Sequence, residues 1–248
     1  PAERVDTAVE ALALSIGEKA RVDMVYMGQL TGKDEDSLFA DLQGVVFLNP
    51  DYGERGGEKY LPADEYLSGN VRRKLAEVRT KAKTEPQYLP NVEALEKVQP
   101  VDLTASEISV RLGATWLNPE YIWQFIFETL DTPRRARWDI KVHYSQITGE
   151  WRIEGKSKDK SNIKAFNTYG TLRASAYEII LNLKDVRIFD YQYDRDGRRV
   201  AVLNKKETAI AQGKQELLKE AFAEWIWKDP ERREKICKAY NILFNSNR

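Results

Sequence analysis

Two hydrophobic periods alternate in short segments through the second half of the chain. Apolar and polar residues alternate singly in 138–144 and 151–154, on either side of a Thr148-Gly149 turn, which is typical of a β-hairpin with one buried face. A second such pair, in 186–202, surrounds the strong turn dipeptide Asp196-Gly197. Segments with helical spacing lie between and after the hairpins, at 170–182, 207–227 and 231–244. This order predicts an α+β fold with helices on one face of a strand layer, and it excludes a doubly wound parallel sheet.

The first 84 residues predict a small unit of three helices followed by a hairpin. The helices are expected at 5–16, 22–30 and 36–42, and the strands at 45–48 and 59–61. In the first helix, Val5, Val9, Leu12 and Ile16 fall on one face, which we expect to be buried. Three short helices followed by a hairpin predict a winged-helix-like unit.

The third of these helices is a poor candidate for reading DNA. Asp34, Glu35, Asp36 and Asp41 lie in or beside it, with Lys33 as the nearby cation. A recognition helix lies against phosphates, which a surface of carboxylates repels. The winged-helix-like unit is therefore open to a second interpretation, in which it binds protein.

A connection rich in helix-breaking residues, 85–91, predicts a boundary between two domains, 1–84 and 85–248. Asn91 is a candidate cap for a short helix at 92–98. The second domain is expected to end in two amphipathic helices, which Asp229-Pro230 separates.

Three further helices are expected inside the second domain. A Thr104-x-x-Glu107 capping box predicts one at 108–112. Asn118-Pro119 opens another, which is apolar almost all round and should be the central buried helix. The segment 170–182 is expected to be helical and to bury Leu172.

The stretch Tyr66–Leu75 begins a helix that carries the densest positive charge in the chain. Ser68 is the preferred N-cap and Asn70 the alternative, while Val71, Leu75, Val78 and Ala82 form a buried stripe. We predict phosphate contacts for the basic residues beside this stripe, which are Arg72, Arg73, Lys74, Arg79, Lys81 and Lys83. The alternative is a solvated basic face that packs through its aliphatic stems.

A polar loop at 155–162 offers a second group of cations. Lys156, Lys158 and Lys160, with Lys164 just after the loop, are candidate contacts to backbone phosphates. We expect this loop to be mobile. A solvated loop without a ligand is the competing interpretation.

Composition limits the compartment and the kind of surface. The chain has 248 residues, of which 31% are charged, and its formal net charge is zero, so a nucleic-acid surface must be local. A single cysteine, Cys237, excludes an internal disulfide and fits a reducing cytoplasm. The apolar runs are too short to span a bilayer, so no membrane segment is expected. Because the chain opens at Pro1 without methionine, we expect an excised fragment.

Asn49-Pro-Asp-Tyr52 is the best enzymatic candidate in the sequence. It resembles the Asn-Pro-Pro-Tyr signature with which adenine methyltransferases hold a flipped base. Asp51 replaces the second proline, and no glycine-rich loop for S-adenosylmethionine precedes the motif. A wing turn is therefore the better interpretation.

The other chemical candidates are weak. Gly155-Lys156-Ser157 resembles the end of a phosphate-binding loop, but Glu150 stands where the first glycine is required. His143 is the only histidine, so neither a catalytic triad nor a histidine metal cluster is available. Asp194 and Asp196 are consistent either with a magnesium site or with the tip of a hairpin. Trp225 and Trp227 are consistent either with core positions or with an exposed surface that stacks on bases.

Several stretches resemble a segment of the large fused DNA methyltransferase/helicase proteins of phages, plasmids and integrative conjugative elements. They are Tyr66–Leu75, Pro90–Pro100, Leu103–Trp116, Tyr169–Arg173, Asn204–Thr208 and Tyr240–Asn245. The resemblance implies a region between an adenine methyltransferase and a Swi/Snf-like helicase. The chain lacks the methyltransferase signatures, the phosphate-binding loop and the DEAD-type box, so the resemblance assigns catalysis to no residue and implies no cofactor or metal.

Three functions are consistent with these observations. The first is a non-catalytic region that binds or positions double-stranded DNA in such a fused protein. The second is a scaffold that couples the methyltransferase and helicase domains, through the acidic third helix and the C-terminal helices. The third, an independent adenine methyltransferase acting through 49–52, is the least supported by the residues.

Overall fold

The computed structural model describes residues 4–145, 147–183 and 185–248. Internal contacts divide the chain into two units: unit 1 comprises Pro1–Leu103 together with Lys238–Arg248, and unit 2 comprises Thr104–Cys237. This division differs from the boundary expected after residue 84. The reason is that the helix beyond the 85–91 connection packs on the helix before it, through Leu95 against Val71 and Leu75.

Unit 1 begins with the predicted order of three helices and a hairpin. The elements are α1 Ala8–Lys19, α2 Met24–Thr31, α3 Glu35–Asp41, β1 Val46–Leu48 and β2 Tyr60–Pro62. The strands are antiparallel, with Phe47 opposite Leu61. Asp23 and Asp34 cap α2 and α3 by accepting backbone N–H bonds, as expected for short helices that follow tight turns.

The buried face of α1 differs from the predicted one. Val9 is 59% exposed and Ile16 is also exposed, whereas Ala8, Ala11 and Leu12 are buried. Thr7 caps the helix, and the two alanines allow α1 to pack closely in the core that α1, α2 and α3 share. Of the predicted face, Leu12 is buried and Val5 packs against the core, so hydrophobicity indicates only part of the face that the small residues complete.

The basic helix lies in the second half of unit 1. The elements there are α4 Ala63–Tyr66, α5 Val71–Ala82 and α6 Leu89–Lys97, with a 3-10 turn at Pro86–Tyr88. Asn70, not Ser68, is the N-cap of α5, because its side chain accepts from the Arg73 N–H. The Ser68 hydroxyl instead donates to the Glu65 carbonyl.

Asn91 has a different role from the expected helix cap. It lies inside α6, is buried, and donates from Nδ2 to the Leu48 carbonyl at 2.8 Å. In the predicted stripe, Val71, Leu75 and Val78 are buried and Ala82 is partly buried. These contacts join α5 and α6 to the hairpin of unit 1.

Unit 2 contains both predicted hairpins and leads into the long C-terminal helices. The elements from here to the end of the chain are α7 Pro119–Thr129, α8 Arg134–Arg137, β3 Lys141–Tyr144, β4 Trp151–Glu154, α9 Ala176–Leu181, β5 Phe189–Tyr193, β6 Arg199–Leu203, α10 Lys205–Lys228 and α11 Pro230–Phe244. The fold is α+β, as predicted. The β3–β4 and β5–β6 pairs are separate two-stranded sheets and do not form one layer. The core includes Phe125 of α7, which contacts Phe222 and Trp225 of α10.

Three predictions about helices and strands in unit 2 are wrong. Thr104 and Glu107 form only a local turn, and 108–112 is not helical. Leu172 is 92% exposed because Ser175 caps α9 with Glu178, so the helix begins after it. Trp138 follows α8 instead of opening a strand and is 84% exposed.

Half of the 155–162 segment, where a mobile loop was expected, forms a 3-10 turn. This turn comprises Lys156–Asp159, and Asp159 is buried. Its carboxylate accepts from the Tyr177 hydroxyl at 2.5 Å and from Asn162 Nδ2 at 2.7 Å. These bonds to a buried carboxylate anchor the segment to α9.

Candidate nucleic-acid interface

Arg72 of α5 is committed to contacts within unit 1. Its guanidinium donates to the Asn245 carbonyl at 2.7 Å and to the Pro100 carbonyl at 3.2 Å, and it also pairs with the Asp102 carboxylate. Charged donors that satisfy carbonyls in this way stabilise a fold more than neutral ones. Arg72 therefore joins three segments of the unit.

Lys74 and Lys81 are likewise turned toward backbone carbonyls. The Lys74 ammonium donates to the Tyr66 and Ser68 carbonyls at 2.9 and 2.8 Å, and burial lowers its pKa. The Lys81 ammonium donates to the Pro50 carbonyl at 2.6 Å. Both cations satisfy carbonyl groups at the end of α4 and in the wing loop.

The remaining predicted cations of α5 face solvent. Arg73 and Arg79 are about half-exposed or more and pair with Glu77 at 3.5 Å and Glu96 at 2.8 Å. Lys83 is exposed and has no side-chain partner in the described residues. Because exposed ion pairs contribute little, phosphates can compete for these three side chains.

The loop lysines divide in the same way. Lys156 lies 3.9 Å from the Glu178 carboxylate, and Lys164 pairs with Asp131, which raises its pKa. Lys158 and Lys160 are exposed, and no partner of their ammonium groups is found within the described ranges. Two of the four predicted contacts are therefore held in ion pairs, and two face solvent.

The carboxylates of α3 are partly neutralised by the wing. Glu35 accepts from Lys59 Nζ at 2.6 Å and from the Tyr60 hydroxyl at 2.7 Å, and these bonds lower its pKa. Burial, followed by the bond to Glu35, raises the pKa of Tyr60 to about 12. Lys33 pairs with Asp41 at 2.8 Å. Lys59 and Lys33 are therefore paired with carboxylates of α3 itself.

The Asn49-Pro-Asp-Tyr52 motif forms the wing loop. The Asn49 side chain donates to the Glu58 carbonyl at 2.9 Å and accepts from the Asp51 N–H at 3.0 Å. Both ends of the amide are therefore occupied by the loop itself. This arrangement fits the interpretation as a wing turn.

Gly155 is required by packing and not by phosphate binding. Its φ is +75°, and a Cβ at this position would lie 1.8 Å from the Asp139 carbonyl oxygen. No other residue fits so close to a neighbouring backbone. The glycine allows the end of β4 to lie against the start of β3.

The other candidate groups have structural contacts. Asp194 accepts from the Asp196 and Arg198 N–H groups, which confirms the hairpin-tip interpretation. Trp225 is buried and donates to Glu128, so it belongs to the core. His143 lies 3.3 Å from the Glu154 carboxylate on an exposed strand face. Within the part of the chain that the structure describes, no cluster of His, Cys, Asp and Glu is arranged to hold a metal ion.

One aromatic and basic surface was missed by sequence reasoning. Arg134 and Arg135 are exposed and lie four and three residues before the exposed Trp138. The neighbouring Arg137 is instead held by the Thr132 carbonyl at 2.8 Å. The run of three arginines before a tryptophan was the available signal, but Trp138 was assigned to a buried strand face.

Comparison with known families supports the architecture of unit 1. Residues 4–60 match the family described as "Probable helicase, winged helix domain". Residues 111–246 match the family described as "Domain of unknown function (DUF8437)". Neither a curated protein nor a solved structure gives a significant match.

The order of α1 to β2 and the first match together define an N-terminal winged-helix domain similar to that of probable helicases. The second match covers more than half of the chain, which therefore belongs to the DUF8437 family. The expected winged helix is confirmed, and the family that its residues match is described as that of a probable helicase. Across the described residues, no helix is both long and apolar enough to cross a bilayer.

Proposed function

We propose that this chain is a non-catalytic region that binds or positions double-stranded DNA for a helicase-containing protein. The observation that carries the proposal is the winged-helix domain at 4–60, whose family description names a probable helicase. Winged helices belong to the helix-turn-helix class, in which helix and wing lie against duplex DNA. The finer assignment, a region between methyltransferase and helicase domains of a mobile-element protein, rests on the sequence resemblance.

The phosphate contacts that we propose come from the solvent-facing members of the predicted set. These are Arg73, Arg79, Lys83, Lys158 and Lys160. Their charges are solvated or held in exposed pairs, so releasing them to phosphate costs little. Arg72, Lys74 and Lys81 are assigned instead to holding unit 1 together, because their donors are already used by carbonyls.

Binding of a generic duplex at several salt concentrations tests the proposal. In the variant Arg73→Glu/Arg79→Glu/Lys83→Glu, we expect weaker binding and a smaller slope of log K against log salt. The slope should fall by roughly 0.9 for each phosphate that the variant no longer neutralises. Fluorescence anisotropy with a labelled duplex measures both quantities.

The matched control is Lys19→Glu/Lys228→Glu/Arg233→Glu, which changes the net charge equally at exposed positions. The control should bind the duplex almost as tightly as the parent, with only the small loss of affinity that the change in overall charge causes. If the parent does not bind duplex at low salt, or if the two variants are indistinguishable, the proposal fails.

One observation favours a second function, a scaffold that contacts protein. The helix in the recognition position, α3, carries Glu35, Asp36 and Asp41, which phosphates repel. Such a scaffold would bind a separated methyltransferase or helicase domain in the absence of DNA. Co-purification of this chain with those domains after nuclease treatment distinguishes the two functions.

A further inference from the structure

Strands β5 and β6 form a two-stranded ribbon, residues 189–203, that is solvent-exposed on both faces. Five residue pairs are in register, from Phe189 opposite Leu203 to Tyr193 opposite Arg199. Every residue of β6 is exposed, and only Asp190 of β5 is partly buried. Two-stranded ribbons are marginally stable in water unless one face packs on something else. This ribbon therefore has a surface that its own unit does not cover.

The base of the ribbon is fixed to unit 2. Arg173 pairs with Asp190 at 2.7 Å and donates to the Phe189 carbonyl at 2.9 Å. Asn204 donates to Asp190 at 2.9 Å and also caps α10, which begins at the next residue. The bond from Arg173 lowers the pKa of Asp190, so its carboxylate stays ionised in this pair. The ribbon is thus braced at one end.

The free end carries positive charge. Arg195 and Arg198 flank the turn, and no side-chain partner is found for either within the described residues. The carboxylate of Asp194 accepts two N–H bonds of the turn, at 2.7 and 2.9 Å, and the three arginines of 194–199 exceed its two aspartates by one charge. Arg199 lies over the Tyr191 ring, 3.9 Å from its centroid. The tip consequently presents two solvent-facing guanidinium groups beside an arginine–tyrosine stack.

The dimensions of the ribbon suit a DNA groove. Five residues at about 3.4 Å each extend roughly 17 Å, so the strands are long enough to cross the groove with the turn entering it first. The major groove, roughly 12 Å wide and 8.5 Å deep, admits a two-stranded ribbon. A ribbon inside a groove has nucleic acid on both faces, which accounts for exposure on both faces here. The foot of the ribbon adds Lys205 and Lys206, which are exposed at the N-terminus of α10.

We infer that the β5–β6 ribbon enters the major groove of duplex DNA, with Arg195 and Arg198 contacting base edges or phosphates. Tyr193, which is 77% exposed, would contact the sugar–phosphate wall next to them. A protein partner is the competing occupant, since tyrosine and arginine are also frequent in protein interfaces. The solvent-facing arginines at the tip and the lysines at the foot of the ribbon favour DNA, which is a polyanion, over a protein partner.

The test measures duplex binding by the full chain with Arg195→Glu/Arg198→Glu. We expect affinity at moderate salt to fall by about tenfold or more, because each such contact normally contributes at least several-fold. The control variant Lys228→Glu/Arg233→Glu has the same change in charge at exposed positions of unit 2 and should bind like the parent. Equal thermal unfolding midpoints for the three proteins show that folding is unaffected.

A second measurement identifies the groove. Duplex whose cytosines carry glucosylated hydroxymethyl groups has a filled major groove, and the parent should lose more affinity on it than Arg195→Glu/Arg198→Glu does. Netropsin, which fills the minor groove, should leave binding by the ribbon unchanged.

The outcomes separate this inference from the proposed function on which it rests. Undiminished binding by Arg195→Glu/Arg198→Glu, or an equal loss of affinity on glucosylated duplex for parent and variant, overturns the ribbon while duplex binding itself stands. If the parent protein binds no duplex, both the ribbon inference and the proposed function are wrong. If the tip variant binds DNA like the parent but loses self-association, the ribbon is a protein contact and the inference is wrong.

Discussion

Neighbouring cations on α5 differ in whether they contact the protein or the solvent, and Arg72 and Arg73 show this most clearly. Arg72 donates to two backbone carbonyls and pairs with Asp102, whereas Arg73 has one exposed pair with Glu77 at 3.5 Å. One position along the helix rotates a side chain by about 100°, given 3.6 residues per turn. The same residue type thus becomes an internal cross-link at one position and a surface charge at the next.

This contrast gives a prediction about stability. Arg72→Ala should lower the free energy of unfolding of unit 1 by about 1–3 kcal/mol, because it leaves carbonyl acceptors unsatisfied and Asp102 unpaired. Arg73→Ala should change it by less than about 0.5 kcal/mol. Urea unfolding followed by circular dichroism measures both. Equal losses in the two variants would contradict the assignment of Arg72 as a structural residue.

Glu35 gives a prediction about pH. Lys59 and Tyr60 lower its pKa in the folded state, so the pair stabilises the fold at pH values above the pKa of the unfolded chain. That contribution is lost as the pH falls through the lowered folded pKa. Glu35→Gln should therefore cost up to about 0.5–1 kcal/mol at neutral pH, since the pair is half-exposed, and less in acid.

Urea midpoints of the parent and of Glu35→Gln, recorded from pH 7 down to pH 3, test this expectation. Asp36→Asn is the control, since it removes a neighbouring exposed carboxylate that has no partner among the described residues. If the difference between parent and Glu35→Gln does not shrink in acid, the contact between α3 and the wing does not have the assigned role.

At the scale of elements, periodicity identified the helices and strands more reliably than their packed faces. The two hairpins of unit 2 and the winged-helix order were predictable, because alternation and turn dipeptides are local signals. The face of α1 was not, since Ala8 and Ala11 are buried there while the larger Val9 is exposed. Tertiary packing selects the face with the closer approach, and a hydrophobic pattern contains no information about the neighbour.

The same limit applies to the candidate interface. The cations of α5 could be located from sequence, but their partners come from distant segments such as Pro100 and Asn245. Trp138 was assigned to a strand because it continued the period of β3, whereas the structure ends α8 there. The arginines of the ribbon received no prediction from the sequence, because exposure on both faces is visible only in three dimensions.

At the scale of the whole molecule, unit 1 is discontinuous in sequence. Its C-terminal segment returns after unit 2 and pairs with the start of α5: Gly69 and Arg248 exchange two backbone hydrogen bonds of 3.0 Å. Asn241 exchanges hydrogen bonds with both backbone groups of Leu103, at 2.8 and 2.9 Å. These contacts close unit 1 with residues from both ends of the chain.

Deletion of residues 245–248 tests this closure. Without the bonds to Gly69 and Arg72, the unfolding free energy of unit 1 should fall by about 1–3 kcal/mol. Hydrogen exchange should accelerate in α5 and remain unchanged in α7 and α10, which belong to unit 2. Uniform acceleration in both units, or none in α5, would contradict the division of the chain.

The discontinuity also governs the order in which the chain can fold during synthesis. The ribosome releases residues 1–103 long before Lys238 emerges, so α5 must wait for its last partners while all of unit 2 is made. Such long-range closure is slow because the two segments, which are far apart in sequence, must first be brought together. Ribosome-bound intermediates should therefore expose Arg72 and Leu103, whose partners Asn245 and Asn241 are made last. Stalling the ribosome just after Cys237 should leave this incomplete unit sensitive to protease.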